Sequence, residues 1–265
     1  MFKIFIYLFN LTLKCHREQV LERAGGLTFR VLLAFFPFIV FLMALMGFLN
    51  LDEPEILNAL YDILPRDISD VVARFVYELS ETRSRGLLSA ALFFSVYNTT
   101  NGFRAIIRCV NMAYGVRDSR SFVKQVWVSF VLMLLFSGAL VVMLGLLIFG
   151  RQIWGFLFPT RHDLLITLAS GGAALVVLVF TTMLIYRLAC AERLKVQYVL
   201  PGAVFTVLAW VVASSFFGFV TQNFTQYPVV YGSIAGVFIL ILWLNVVSVI
   251  LLVGNEVNAS LGDYF

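Results

Sequence analysis

Long apolar runs alternate with short polar ones along nearly the whole chain. Val31–Leu49, Val126–Gly150, Leu164–Tyr186, Tyr198–Val220 and Val229–Gly254 each approach or exceed the length needed to cross a hydrocarbon core, about 20 residues of helix. One run breaks the rule. Gly86–Tyr97 opens as a membrane span but is too short, and continues as Asn98-Thr-Thr-Asn-Gly-Phe-Arg-Ala-Ile-Ile-Arg-Cys-Val-Asn-Met-Ala-Tyr114. If the helix runs on, Tyr97, Asn101, Arg104, Arg108 and Asn111 recur at spacings of 4, 3, 4 and 3 and share one face. Phe103, Ile106, Ile107 and Val110 take the opposite face. This pattern predicts a membrane helix whose polar stripe turns into a bundle or a water-filled cavity, because ionisable groups do not face lipid tails at membrane depth. The alternative is that Arg104 and Arg108 lie at the interface and snorkel to headgroups.

Two segments are amphipathic rather than apolar. Residues 1–24 hold a short apolar run followed by Lys14-Cys-His-Arg, which predicts an interfacial helix on the cytoplasmic leaflet. Residues 50–85 predict a pair of helices. Ile56, Leu57, Leu60, Ile63 and Leu64 stripe the first, Pro65 ends it, and Ile68, Val71, Val72, Phe75, Val76 and Leu79 stripe the second. The expected architecture is therefore all-α: one transmembrane domain over 1–265, with six spans and an extracytoplasmic helical pair between spans one and two.

Composition agrees with the pattern. The 265 residues are 61% hydrophobic and 13% charged, as expected of a polytopic membrane protein. Charge fixes the orientation. With a cytoplasmic N-terminus and six spans, only Arg66, Arg74, Arg83, Arg85, Arg151 and Arg161 lie outside, leaving 13 of the 19 lysines and arginines inside. Both termini then face the cytoplasm. Cys15, Cys109 and Cys190 show no paired spacing, so no disulfide framework is expected.

Close-packing signals lie in Ser170-Gly-Gly-Ala-Ala174, in Ser214, Ser215 and Gly218, and in Gly232-Ser-Ile-Ala-Gly236. Asn245, Ser248 and Asn255 run down one face of the last span, which closes on Asn255-Glu256-Val-Asn258.

Arg23-Ala-Gly-Gly-Leu-Thr-Phe-Arg-Val-Leu-Leu-Ala-Phe-Phe-Pro37 resembles the first-span signature of the YihY/BrkB family. Tyr231-Gly-Ser-Ile-Ala-Gly, Leu242-Trp-Leu244 and Leu252-Val-Gly-Asn-Glu-Val-Asn258 resemble its last span, and Asn98–Tyr114 its middle element. Arg30 and Asn255 depart from that pattern, standing where the family usually has an aromatic or small residue and an alanine. The resemblance implies a bacterial inner-membrane protein. Labels within the family range from ribonuclease BN and virulence or serum resistance to export of lipids or small molecules.

Arg30, Arg104, Arg108 and Glu256 are expected in the cytoplasmic third, with Asn98, Asn101 and Asn245 deeper. That arrangement points to an inward-opening vestibule with a cationic rim, suited to an anionic or amphipathic solute or a lipid. Against it stands a lock in which Glu256 pairs with Arg104 or Arg108 in a non-transport structural or partner-binding protein. A nuclease is disfavoured. The sequence offers no clustered His and Asp residues and no soluble basic domain for RNA. No cofactor, metal or nucleic-acid partner is expected; the expected partners are membrane lipids and an anionic small-molecule or lipid substrate.

Overall fold

The computed structural model describes residues 11–48, 66–80, 85–157, 163–223 and 233–262, and these are helical apart from short connections. The helices are α1 (Val20–Phe48), α2 (Arg66–Ser80), α3 (Arg85–Ala113), α4 (Phe122–Leu157), α5 (Asp163–Ala189), α6 (Val196–Asn223) and α7 (Ser233–Gly262). A further short helix occupies residues 11–17. Among the described residues, five helices are long and apolar enough to cross a membrane: Val20–Met43 in α1, Phe122–Leu146 in α4, Ala169–Ala189 in α5, Val196–Val220 in α6 and Gly236–Leu261 in α7.

Six helices close into a ring. α1 packs on α3, α3 on α4, α4 on α5, α5 on α6, α6 on α7, and α7 back on α1. Weaker contacts from α3 to α5 and α7 cross the interior. The polar-striped helix α3 is thus one stave of the ring, although its composition does not qualify it as a span. Its meeting with α1 is close. A Cβ on Gly102 would lie 2.7 Å from the Ala34 Cβ, so the glycine sets the helix spacing.

The second amphipathic helix of the 50–85 segment forms as expected, as α2. Ile68, Val72 and Val76 are buried with Ile39 of α1 and Leu240, Trp243 and Leu244 of α7. Gly236 sits under α2, where a Cβ would meet Val71 at 2.9 Å. The first helix of that pair lies outside the described residues, as do Gly232 and the first ten residues of the interfacial segment.

Several boundaries move. The interfacial segment, expected over 1–24, ends at a tight turn where Gln19 adopts φ 51°, and α1 starts at Val20. Ala24 and Leu27, buried against Ala105 and Leu252, draw that stretch into the bundle. Helix α4 runs through Arg151 to Leu157, past Gly150 where the apolar run ends. Helix α7 runs through the Asn255–Asn258 stretch expected to close it. At the end of α3, Gly115 takes the left-handed φ of 65° that terminates a helix, with the Val116 N–H donating to the Asn111 carbonyl at 3.0 Å.

Lipid tails are as apolar as leucine, so burying apolar surface gives helices little reason to associate in a bilayer. Phe93, Val176, Phe180, Val212, Phe216 and Phe219 remain exposed on the outside of the ring. What distinguishes this bundle is its interior, which becomes polar toward one end.

Candidate functional site: a polar axis at the end of the last helix

Residues 254–260 of α7 are all buried. A helix buried on every side over two turns is enclosed by its neighbours, and here it carries Asn255, Glu256 and Asn258. Each of the three reaches a different neighbour. The Asn255 Nδ2 donates to the Val110 carbonyl of α3 at 3.2 Å. The Asn258 Oδ1 accepts from the Gly202 N–H of α6 at 2.7 Å. The Glu256 carboxylate lies 3.5 Å from the Lys14 ammonium of the N-terminal helix, with 2% of Glu256 exposed.

One turn earlier, Tyr186 of α5 joins the same centre. Its hydroxyl donates to the Leu251 carbonyl at 2.7 Å, so the 2.7 Å bond to Thr206 Oγ1 must run from threonine to tyrosine. Gly254 lets these groups in, since a Cβ there would strike Thr206 Oγ1 and lie 2.9 Å from the Gly202 carbonyl oxygen. Three buried atoms of this region find no hydrogen-bond partner, Asn255 Oδ1, Asn258 Nδ2 and the Tyr114 hydroxyl, and Glu256 Oε2 has only the Lys14 ammonium at 3.5 Å.

A second network ties off the end of α5. The Asn111 side chain donates to the Ala189 carbonyl at 2.9 Å and accepts from the Ala191 N–H at 2.7 Å. Arg120 donates to the Ala189 carbonyl at 2.7 Å and grips Asp118 through two bonds of 2.7 and 2.9 Å. Carbonyls at a helix end have no partner within the helix, and these two side chains supply it. Burial tends to raise the Asp118 carboxyl, but the Arg120 bonds outweigh it and hold the group below the usual carboxylate range. Burial pushes up the thiols of Cys15, with the Glu256 charge adding to the effect, and of Cys190.

The polar stripe of α3 faces the other way from expectation. Phe103, Ile107 and Val110 are buried with Leu132, Met133 and Tyr186. Tyr97 and Arg108 are exposed, and Asn101 and Arg104 half-buried. The apolar half therefore enters the bundle because α4 and α5 offer it an apolar core, and of the stripe only Asn111, near the C-terminal end of α3, is buried. Arg30 is exposed on α1. The Arg104 guanidinium stacks 4.7 Å from the Phe122 ring centroid.

The deep asparagines are occupied by helix contacts. Asn98 donates to the Phe94 carbonyl of its own helix at 2.8 Å, and Asn245 to Thr28 Oγ1 of α1 at 3.2 Å. The ion pair of Glu256 is with Lys14, not with Arg104 or Arg108. Glu256 and Asn245 thus belong to the α7 axis, whereas Arg30, Asn101, Arg104 and Arg108 lie on an outer face and Asn98 bonds back to its own helix.

Tyr186, Thr206 and Gly202 were not foreseen. A tyrosine and a threonine inside apolar runs are a signal, since buried hydroxyls at membrane depth need partners. Gly202, directly after Pro201, carries no such mark. Among the described residues no three His, Cys, Asp or Glu side chains gather to hold a metal ion.

The family model described as Virulence factor BrkB matches residues 12–264. A ribonuclease-like protein, YfkH, of Bacillus subtilis is 30% identical over 91% of this chain and 89% of its own length. A UPF0761 membrane protein of Alteromonas mediterranea is 26% identical over 97% of this chain and 88% of its own length. No solved structure matches. A match over nearly every residue, on a chain with five helices fit to cross a membrane, makes this an integral membrane protein of the Virulence factor BrkB family.

Proposed function

We propose that this protein is a transporter or exporter of an anionic or amphipathic solute or lipid, moving it through a polar axis that opens to the cytoplasm. In this reading it crosses the bacterial inner membrane six times, keeps both termini in the cytoplasm and performs no enzymatic chemistry. The observation that carries the reading is the set of unmet polar atoms on Asn255, Asn258 and Tyr114, beside the Glu256 carboxylate inside the bundle. A buried polar atom without a partner costs about 1–3 kcal/mol, which water or solute in the axis would relieve. Buried ionisable groups among membrane helices go with solute or ion paths.

Helix α3 supports the sixth crossing: its 29 residues span about 43 Å and it fills one place in the closed ring. Lys14, held on Glu256 at 3.5 Å, stands where a passenger would enter, and its positive charge favours an anion. The ribonuclease-like name of YfkH would point to a nuclease. Against it, His16 is exposed and outside the axis, so the axis lacks an imidazole from the described residues.

One set of observations favours the non-transport alternative: Lys14–Glu256 and Asn245–Thr28 are also what a locked bundle would use. Proteoliposomes separate the two. Efflux of trapped carboxyfluorescein, or exchange of fluorescent phosphatidylglycerol between leaflets, faster than in protein-free liposomes and altered by Lys14→Gln, supports transport. Folded protein that moves neither probe leaves the structural reading standing and removes this one. Purified protein is expected to leave a fluorescent RNA intact.

A further inference from the structure

Arg30, Arg104 and Arg108 are three cations that the axis does not use. Arg30 and Arg108 are exposed. Arg104 is half-buried, its Nε has no hydrogen-bond acceptor, and its guanidinium stacks on the exposed Phe122. None of the three forms an ion pair with a described residue. They belong to one place. Gly102 packs against α1, where a Cβ would lie 3.9 Å from the Arg30 carbonyl oxygen, so Arg30 stands level with the start of the arginine stripe. The charges of Arg30 and Arg104 both act on Arg108.

Depth narrows the ligand. Arg30 lies about 15 Å along α1 from Val20, and Arg104 about 14 Å from the Ala113 end of α3. Long arginine side chains at such depth reach toward the headgroup layer. The neighbouring exposed side chains Leu33 and Tyr97 are apolar or amphipathic, a surface suited to acyl chains. A second copy of this chain is a poor occupant, because a two-fold contact would set the same arginines against each other.

We propose that Arg30, Arg104 and Arg108 form a lateral site for the phosphate headgroup of an anionic lipid drawn from the cytoplasmic leaflet. The site rests on the orientation and anionic-passenger reading given above, and names its passenger class or a lipid that accompanies it. The guanidinium fork matches phosphate oxygens two at a time, and its aromatic stacking on Phe122 fixes the Arg104 plane. Basic surfaces between helices on this side of a membrane recognise such headgroups.

Native mass spectrometry of the delipidated full chain tests it, with phosphatidylglycerol, phosphatidylcholine and inorganic phosphate as probes. Phosphatidylglycerol should be retained over phosphatidylcholine, and each Arg→Gln change should weaken retention roughly fivefold. Arg108→Lys should recover part of the loss at that position. Because Arg30 and Arg108 are exposed, Arg30→Gln and Arg108→Gln are expected to fold and carry the test even if Arg104→Gln does not. Equal retention of both lipids, or retention unchanged in these variants, overturns the site. Displacement of phosphatidylglycerol by equimolar inorganic phosphate overturns the lipid in favour of a free anion. A proteoliposome assay without transport would leave the retention intact, so the two readings fail separately.

Discussion

Gly202 and Gly254 bring α6 and α7 into backbone contact: a Cβ on Gly202 would fall on the Gly254 carbonyl oxygen, and a Cβ on Gly254 would lie 2.9 Å from that of Gly202. These carbonyl oxygens are backbone and cannot swing aside, and the Thr206 hydroxyl and Asn258 amide that also crowd the two positions are held by hydrogen bonds. Gly254→Ala should therefore lower detergent-extracted stability by about 1–3 kcal/mol or more, and Gly202→Ala similarly. Gly172, in α5, meets nothing within 4 Å. Gly172→Ala should be neutral or stabilising by up to about 1 kcal/mol. Melting temperatures of the three variants check this, and a harmless Gly254→Ala would mean the helices are not in contact.

Lys14 and Glu256 form a second testable pair. Breaking a buried pair typically costs about 3–5 kcal/mol, but Lys14 is 17% exposed and screening should bring the cost toward the lower end or below. Glu256→Gln should destabilise the protein, and Lys14→Met in that background should add little. Arg104→Gln and Arg108→Gln should instead add their effects to that of Glu256→Gln, since neither pairs with it. A double-mutant cycle measured by thermal melting decides between these outcomes. Coupling of Glu256 to either arginine would restore the pairing expected from the sequence.

The contrast between those pairs shows what the sequence could convey. Length and hydropathy located five spans, and the stripe of Ile68, Val72 and Val76 located α2, because each depends on local periodicity. The same periodicity grouped Asn101, Arg104 and Arg108 on one face of α3 but could not say which way that face turns. Direction depends on neighbours: Leu132 and Met133 of α4 and Tyr186 of α5 receive the opposite face. Glu256 was legible as a buried acid in need of a cation, yet its partner lies 242 residues earlier, on a short helix. The contact between Gly202 and Gly254 has no local signature at all.

Asp118 makes stability depend on pH. Its folded carboxyl is held below the usual range, by Arg120 bonds that outweigh burial, so its contribution is complete above the unfolded value of about 3.9. The contribution fades as pH falls through the lower folded value. Asp118→Asn should cost about 1.5–3 kcal/mol near neutral pH. Variant and natural protein should draw together as pH falls below about 4 and converge below the folded value. Arg120 keeps its bond to the Ala189 carbonyl in the variant, so the end of α5 should stay ordered. A difference that persists undiminished at low pH would mean the carboxylate charge is not the source.

The thiols report both orientation and the Lys14–Glu256 contact. Cys15 and Cys190 are free, and in the proposed topology both face the cytoplasm. A membrane-impermeant maleimide should leave them unmodified in intact cells and label them in inside-out vesicles. Because the thiolate is the reactive form, their raised thiols should react slowly at neutral pH and faster as pH rises. After burial, the Glu256 charge is the next cause of the Cys15 shift. Glu256→Gln should therefore speed Cys15 labelling in inverted vesicles. It should leave Cys190 unchanged, because the charges that act on that thiol are those of Glu192 and Arg120. Rapid labelling of Cys15 from outside the cell would reverse the orientation, and a Cys15 rate indifferent to Glu256→Gln would detach the N-terminal helix from the axis.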